Sequence, residues 1–211
     1  MNKKTIIFDF DGTIADTLDV VVNIYNKLAP KYFCKTLKRE DVEILRNKKS
    51  QEFMKDYGIS KFKLPFLVLH IRKYLNGEMK NVKPIDGIIE TLKELKNLGY
   101  NLGIMTSNSK KNVENFLKIN NLDDIFDFVY SSKNLFGKDK VIKKIINKYF
   151  FEKDLIIYVG DEVRDVEMSK KLGISVLAVS WGFNSREMLE NAGADVIVDN
   201  SRELLECLQK F

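Results

Sequence analysis

The 211-residue chain has one histidine, two cysteines, no apolar run approaching membrane-spanning length and no long basic block. Each scarcity removes a class of function. His70 lies in an apolar, helix-like stretch with no second histidine or cysteine cluster nearby, so it reads as a packed or surface side chain rather than a ligand. Cys34 and Cys207 are far apart, and no leader-like segment is visible. Free thiols in a reducing, cytoplasmic compartment are therefore expected. The missing apolar run argues against a spanning helix. A net charge of +5 comes from lysines interleaved with acids along the chain. That pattern argues against a nucleic-acid partner, whereas a basic rim suits an anionic small molecule. Composition leaves monomer and homodimer equally open.

Against this background one segment is rich in meaning. Thr5-Ile6-Ile7-Phe8 runs into Asp9-Phe10-Asp11-Gly12-Thr13. Strand alternation points Asp9 and Asp11 to the same side. Gly12 permits a sharp exit, and Thr13 adds a hydroxyl. Two carboxylates this close require a cation or a proton. The chemistry that fits is one carboxylate as nucleophile on phosphorus, a divalent metal neutralising it, and the other as general acid and base.

Three further segments carry weaker messages. Asn101–Met105 is a short apolar strand followed by Thr106-Ser107-Asn108-Ser109 and a helical pattern. Hydroxyls and amides at a helix start bind phosphate oxygens, but they also serve as plain caps. Ser109 is the expected cap. Phe136-Gly137-Lys138-Asp139-Lys140 opens another helix, with Asp139 expected as its cap. Either Lys138 or Lys140 can offset phosphate charge. Lys138 is favoured because a residue just ahead of the cap sits in the loop. Leu155–Val159 reads as a central strand buried on both faces, and Gly160-Asp161-Glu162-Val163-Arg164-Asp165 follows it. Asp161 and Asp165 are one helical turn apart, so both can face one spot. With Asp9 and the Asp11 carbonyl they offer the oxygen donors of a hard cation such as Mg²⁺. The alternative is acidic charge at a helix N-terminus.

Strands expected at 5–10, 101–105, 155–159, 175–179 and 195–198, with a weaker one at 128–130, alternate with helices near 85–98, 109–119, 139–150, 163–172 and 185–192. This is a Rossmann-like, mostly parallel sheet with helices on both faces. Ligands in such sheets bind beyond the carboxyl ends of the strands. Residues 16–83 lack the alternation and read as an all-helical cap inserted after the first strand. The core is then 1–15 and 84–211, with hinges near 15–17 and 82–84. Val20, Val21, Ile24 and Leu28 recur at helical spacing, as do Phe66, Leu67, Leu69 and Ile71. Leu45–Ser50 is the expected substrate-facing stretch, with Arg46 placed to hold a second anionic group.

Asp-x-Asp-Gly-Thr, the hydroxyl after a second strand, the lysine and the Gly-Asp segment occur in the order in which they resemble the haloacid dehalogenase-like (HAD) superfamily, above all its phosphatases. The resemblance spans nearly the whole chain. Val179–Arg186, with Trp181-Gly182-Phe183, is similar to the turn of phosphoglycolate phosphatase-like members, although the Lys-Pro pair of many such enzymes is missing. It implies Asp9 as nucleophile, Asp11 as acid and base, Thr106 and Lys138 as phosphate contacts, and Mg²⁺ on Asp9, Asp11 and Asp161. It makes Asp165 a further ligand or the partner of one, leaving Glu162 outside the direct set. Gly12, Thr13, Ser107, Asn108 and Arg46 complete the expected substrate contacts. The implied substrate is a small phosphorylated metabolite. A phosphomutase, which protects the phospho-aspartate from water, and a binding protein that kept the fold are the rival readings. A dehalogenase needs neither Asp11 nor Asp161.

Overall fold

The computed structural model describes residues 3–132 and 137–211. Phe136, at the head of the lysine segment, lies outside the described residues. In chain order the elements are β1 (Thr5–Phe8), β2 (Ala15–Asp16), α1 (Leu18–Leu28), α2 (Arg39–Arg46), α3 (Ser50–Asp56), α4 (Leu64–Glu78), β3 (Lys83–Pro84), α5 (Ile88–Asn97), β4 (Asn101–Thr106), α6 (Lys110–Ile119), β5 (Phe128–Ser131), α7 (Lys138–Tyr149), β6 (Ile156–Gly160), α8 (Val163–Leu172), β7 (Ser175–Val179), α9 (Arg186–Ala192), β8 (Val196–Val198) and α10 (Ser201–Lys210).

Six strands form one parallel sheet in the order β5-β4-β1-β6-β7-β8. β1 sits between β4 and β6, pairing Phe8 with Ile104 on one side and with Val159 on the other. Its four residues are all buried because both faces are covered. Ile6 and Phe8 pack into the cluster with α5, α6 and α10, whereas Ile7 turns to the opposite cluster beneath α7 and α8. The period-two alternation of one short strand thus joins two cores.

β1 is shorter than the expected 5–10, ending as a strand at Phe8. The Asp9 amide nevertheless still donates to the Val159 carbonyl at 2.8 Å, so Asp9 stays anchored to the sheet. Ser109 and Ser185 cap α6 and α9 by accepting from Asn112 N and Met188 N. Asp139 is not the cap of α7. Gly137 occupies that position, and Lys138 is the first helical residue. The Asp139 carboxylate accepts instead from the Lys140 amide and from Lys171.

Between β2 and β3 the chain runs through α1–α4, and the two short strands pair antiparallel where it leaves and rejoins the sheet. Ile24, Leu28 and Leu67 are buried, while Phe66 and Leu69 are exposed. α4 also packs on α6, bringing the insert against the carboxyl end of β4.

Candidate active site

Asp9 leaves β1 directly into a buried polar centre. One carboxylate oxygen, Oδ1, accepts from the Phe10 amide at 2.7 Å. Oδ2 accepts from Lys138 Nζ at 2.6 Å. The same ammonium donates to Asp165 Oδ1 at 2.8 Å and to the Tyr158 hydroxyl at 3.2 Å. Tyr158 in turn donates to the Met105 carbonyl, so β4, β6, α7 and α8 converge on one lysine. Helical position, rather than a loop, delivers this contact: the first turn of α7 directs Lys138 inward, and Lys140 lies exposed on the helix surface.

The chain turns sharply after Asp11. Gly12 has φ +77°, and a Cβ there would lie 2.3 Å from Asp161 Oδ2. Only glycine fits both the left-handed backbone and the close approach. Thr13 Oγ1 donates to Asp161 Oδ1 at 2.7 Å, and the Phe183 amide donates to Oδ2 at 2.7 Å. Asp161 is thereby held between the first motif and the 180–185 turn. Trp181 braces the same rim, its indole N–H donating to the Thr13 carbonyl at 3.3 Å.

Asp11 is half-buried, and its Oδ1 accepts from Asn108 Nδ2 at 3.0 Å. Asn108 is itself fixed. Its amide donates to Thr106 Oγ1 at 2.9 Å, and its Oδ1 accepts from the Ser109 amide and from Asn112 Nδ2. Thr106 is buried, and accepting through Oγ1 leaves its hydroxyl proton as a donor. Ser107 lines the cavity beside Asp11.

Burial dominates the electrostatics. It raises Asp9 from 3.8 to about 7, with Lys138 opposing the rise and Asp165 adding to it. Burial likewise raises Asp11 to about 6, against the hydrogen bond from Asn108. Asp161 is pushed well above the usual carboxylate range by burial and by Glu162, Asp9 and Asp165. Burial alone would lower Lys138, but Asp165 and Asp9 outweigh it and hold the ammonium charged.

Carboxylate oxygens of Asp9, Glu162 and Asp165 lie within 4.8 Å of one another. Asp165 Oδ2 is buried and has no hydrogen-bond partner among the described residues. Hard oxygen donors around an orphaned carboxylate oxygen fit a divalent cation. Glu162, set aside in the sequence, belongs to this group. Asp161, expected as a direct ligand, stands beside it with both oxygens already hydrogen-bonded.

The insert corrects another expectation. Arg46 lines the cavity, but its guanidinium is turned to the core: Nε donates to the Gly182 carbonyl at 3.0 Å, Nη2 to the Ser180 carbonyl and Nη1 to Glu43. It fastens the end of α2 to the 180–185 turn instead of presenting a charge to a ligand. The other arginines on the cavity wall are Arg72 of α4, on which the Asp11 charge acts, and Arg164 of α8, which is paired with Glu162. Neither stands out by its sequence neighbours from the chain's other arginines. Tyr158, by contrast, was a readable clue, as the one hydroxyl inside the apolar run of β6.

Fold and cluster together define an α/β enzyme whose polar centre lies beyond the carboxyl ends of a parallel sheet. Residues 6–179 match the family model described as haloacid dehalogenase-like hydrolase, and the chain belongs to that family. Among its relatives, a phosphoglycolate phosphatase of Synechococcus elongatus is 31% identical over 208 residues, covering 99% of this chain and 98% of the relative. A pyrophosphatase PpaX of Bacillus cereus is 27% identical over 216 residues, covering 100% and 99%. A structure described as a predicted phosphatase from Clostridium acetobutylicum superposes with a TM-score of 0.85 at 24% identity, covering 100% of both chains, which shows the shared fold.

Proposed function

We propose that the protein is a Mg²⁺-dependent phosphatase that hydrolyses a small phosphate monoester through an aspartyl-phosphate on Asp9. The observation that carries this reading is the buried Asp9–Lys138 contact of 2.6 Å, with Asp11 two residues on and facing the cavity.

Asp9 attacks phosphorus in line, while Asp11 gives its proton to the departing alkoxide. A carboxyl raised to about 6 keeps a usable protonated fraction near neutral pH, as this step requires. Asp11, now ionised, takes a proton from the water that attacks the phospho-aspartate. Lys138, the Thr106 hydroxyl and the loop at Ser107 and Asn108 meet the charge that develops on the phosphoryl oxygens. Asn108 keeps Asp11 aimed throughout. A bound Mg²⁺ would supply charge neutralisation for the nucleophile and the phosphoryl group. Asp9, the Asp11 carbonyl, Glu162, Asp165 and Asp161, whose oxygens each keep a further lone pair, would hold it. Residues 16–83 act as a cap that closes over the bound ester, shielding the attack by Asp9 from bulk water and contacting the part of the substrate that is not phosphate.

The two named relatives act on different phosphate compounds, so their names support the phosphoryl chemistry more than any one leaving group. A phosphoglycolate-like ester is one candidate. Phosphate release from an aryl phosphate, with and without Mg²⁺, by the wild type and by Asp9→Asn tests the proposal. Metal-dependent release lost in the variant is expected. Equal release from both would reject the assignment of Asp9.

A further inference from the structure

The cavity that begins at Asp11, Ser107 and Asn108 does not stay polar. It extends for about 310 Å³ into the insert between α1 and α4, where Val21, Val22, Leu64, Leu67, Val68 and Ile71 are among its walls. An engineered apolar cavity of roughly 150 Å³ holds a benzene ring, so this one has room for about twice that. This apolar space is continuous with the acid–base carboxylate. Two insert cations on the wall are committed to the protein. Arg46 is bound to the carbonyls of Ser180 and Gly182, and Lys48 pairs with Asp56 at 2.5 Å. Arg72 is on the wall nearer Asp11, at the phosphate end, where Asp11 is among the charges acting on it. The far end is therefore built for hydrocarbon, and a second anionic group there would meet aliphatic side chains.

We infer that the substrate is a phosphate monoester whose leaving alcohol carries an apolar body, aliphatic or aromatic, about the size of one or two rings. This rests on the phosphatase reading above. The phosphate occupies the centre between Asp9, Lys138 and Thr106. The ester oxygen faces Asp11, and the apolar body enters the space between α1 and α4. Val22 of α1 and Val68 of α4 then set how long a body is accepted.

The test is a series of n-alkyl phosphates from methyl to hexyl, run with Mg²⁺ beside phosphoglycolate and pyrophosphate. Each buried methylene is worth about three- to fourfold in kcat/KM. Hexyl phosphate is therefore expected to exceed methyl phosphate by about a hundredfold or more, and to exceed phosphoglycolate. Val22→Phe and Val68→Phe, checked for folding by thermal melting, are expected to move the optimum to shorter chains and to cut the hexyl-to-methyl ratio at least about tenfold. Turnover that is flat with chain length, or highest for phosphoglycolate or pyrophosphate, would overturn the inference and leave the phosphatase reading standing. Release from none of the compounds would count against that reading instead. Calorimetric binding of hexylphosphonate against methylphosphonate to Asp9→Asn then decides the inference by itself: tighter hexyl binding supports it, and equal binding overturns it.

Discussion

Lys138 Nζ lies 2.6 Å from Asp9 Oδ2, and both side chains are almost entirely removed from solvent. Two opposite charges at that depth are costly to separate, because the partner left behind is an uncompensated buried ion. Lys138→Met is expected to lower kcat by roughly 10²–10³ through loss of charge stabilisation at the phosphoryl group. Its melting temperature is also expected to fall at pH 8, where the stranded carboxylates ionise. Steady-state phosphate release and a thermal melt on the same preparation check both.

Asp11→Asn separates leaving-group protonation from nucleophilic attack. The expected loss is about 10²–10⁴ in kcat/KM for an alkyl phosphate, a constant that reports the steps up to the phospho-aspartate and not its hydrolysis. For a nitrophenyl ester, whose phenolate departs without a proton, the loss is expected to be much smaller. Measuring both esters with the one variant checks the assignment, and an equal loss on both would count against Asp11 as the acid.

Metal-free stability is expected to depend on pH in a definite direction. Burial raises Asp9 to about 7 and Asp11 to about 6 from an ordinary 3.8. The folded chain thus holds protons that the unfolded chain releases. These carboxyls favour the fold most below about pH 4, and that contribution is lost as pH rises through 6 and 7. Melting of the chelated protein is expected to fall over that window. Mg²⁺ held at the proposed site would relieve the same repulsion in the folded state alone, so its stabilisation is expected to be larger at pH 8 than at pH 5. Scanning calorimetry with chelator and with Mg²⁺ at the two pH values measures this.

Gly12→Ala is expected to damage the site through the backbone. The residue sits at φ +77°, and its Cβ would press on Asp161 and Phe183. Left-handed alanine costs roughly 1–2 kcal/mol before any clash. The variant is expected to lose at least that much stability in a urea titration, together with Mg²⁺ affinity, because Asp161 must shift.

Much of this was legible because it depends on short-range rules. The apolar runs before Asp9, Thr106 and Asp161 mark strands whose carboxyl ends converge, and period-two alternation follows from the pleat. Lys138 was also legible, although for the wrong reason: it reaches Asp9 from the first turn of α7, not from a loop. The rest depended on how helices turn against the sheet. Nothing local distinguishes Arg46, spent on the 180–185 turn, from Arg72, which faces the cavity beside Asp11. Nor does spacing show that Asp161 is held by Thr13 and Phe183 while Glu162 joins Asp9 and Asp165. Asn112, which fixes Asn108 from the first turn of α6, was hidden for the same reason.

The most direct measurement is acid quenching of the enzyme during turnover of a ³²P-labelled phosphate ester with Mg²⁺, followed by mapping of any hydroxylamine-sensitive label to a peptide. The account predicts label on the peptide that contains Asp9 and none on the Asp9→Asn protein. Label retained by that variant, or mapped to another residue, would contradict it.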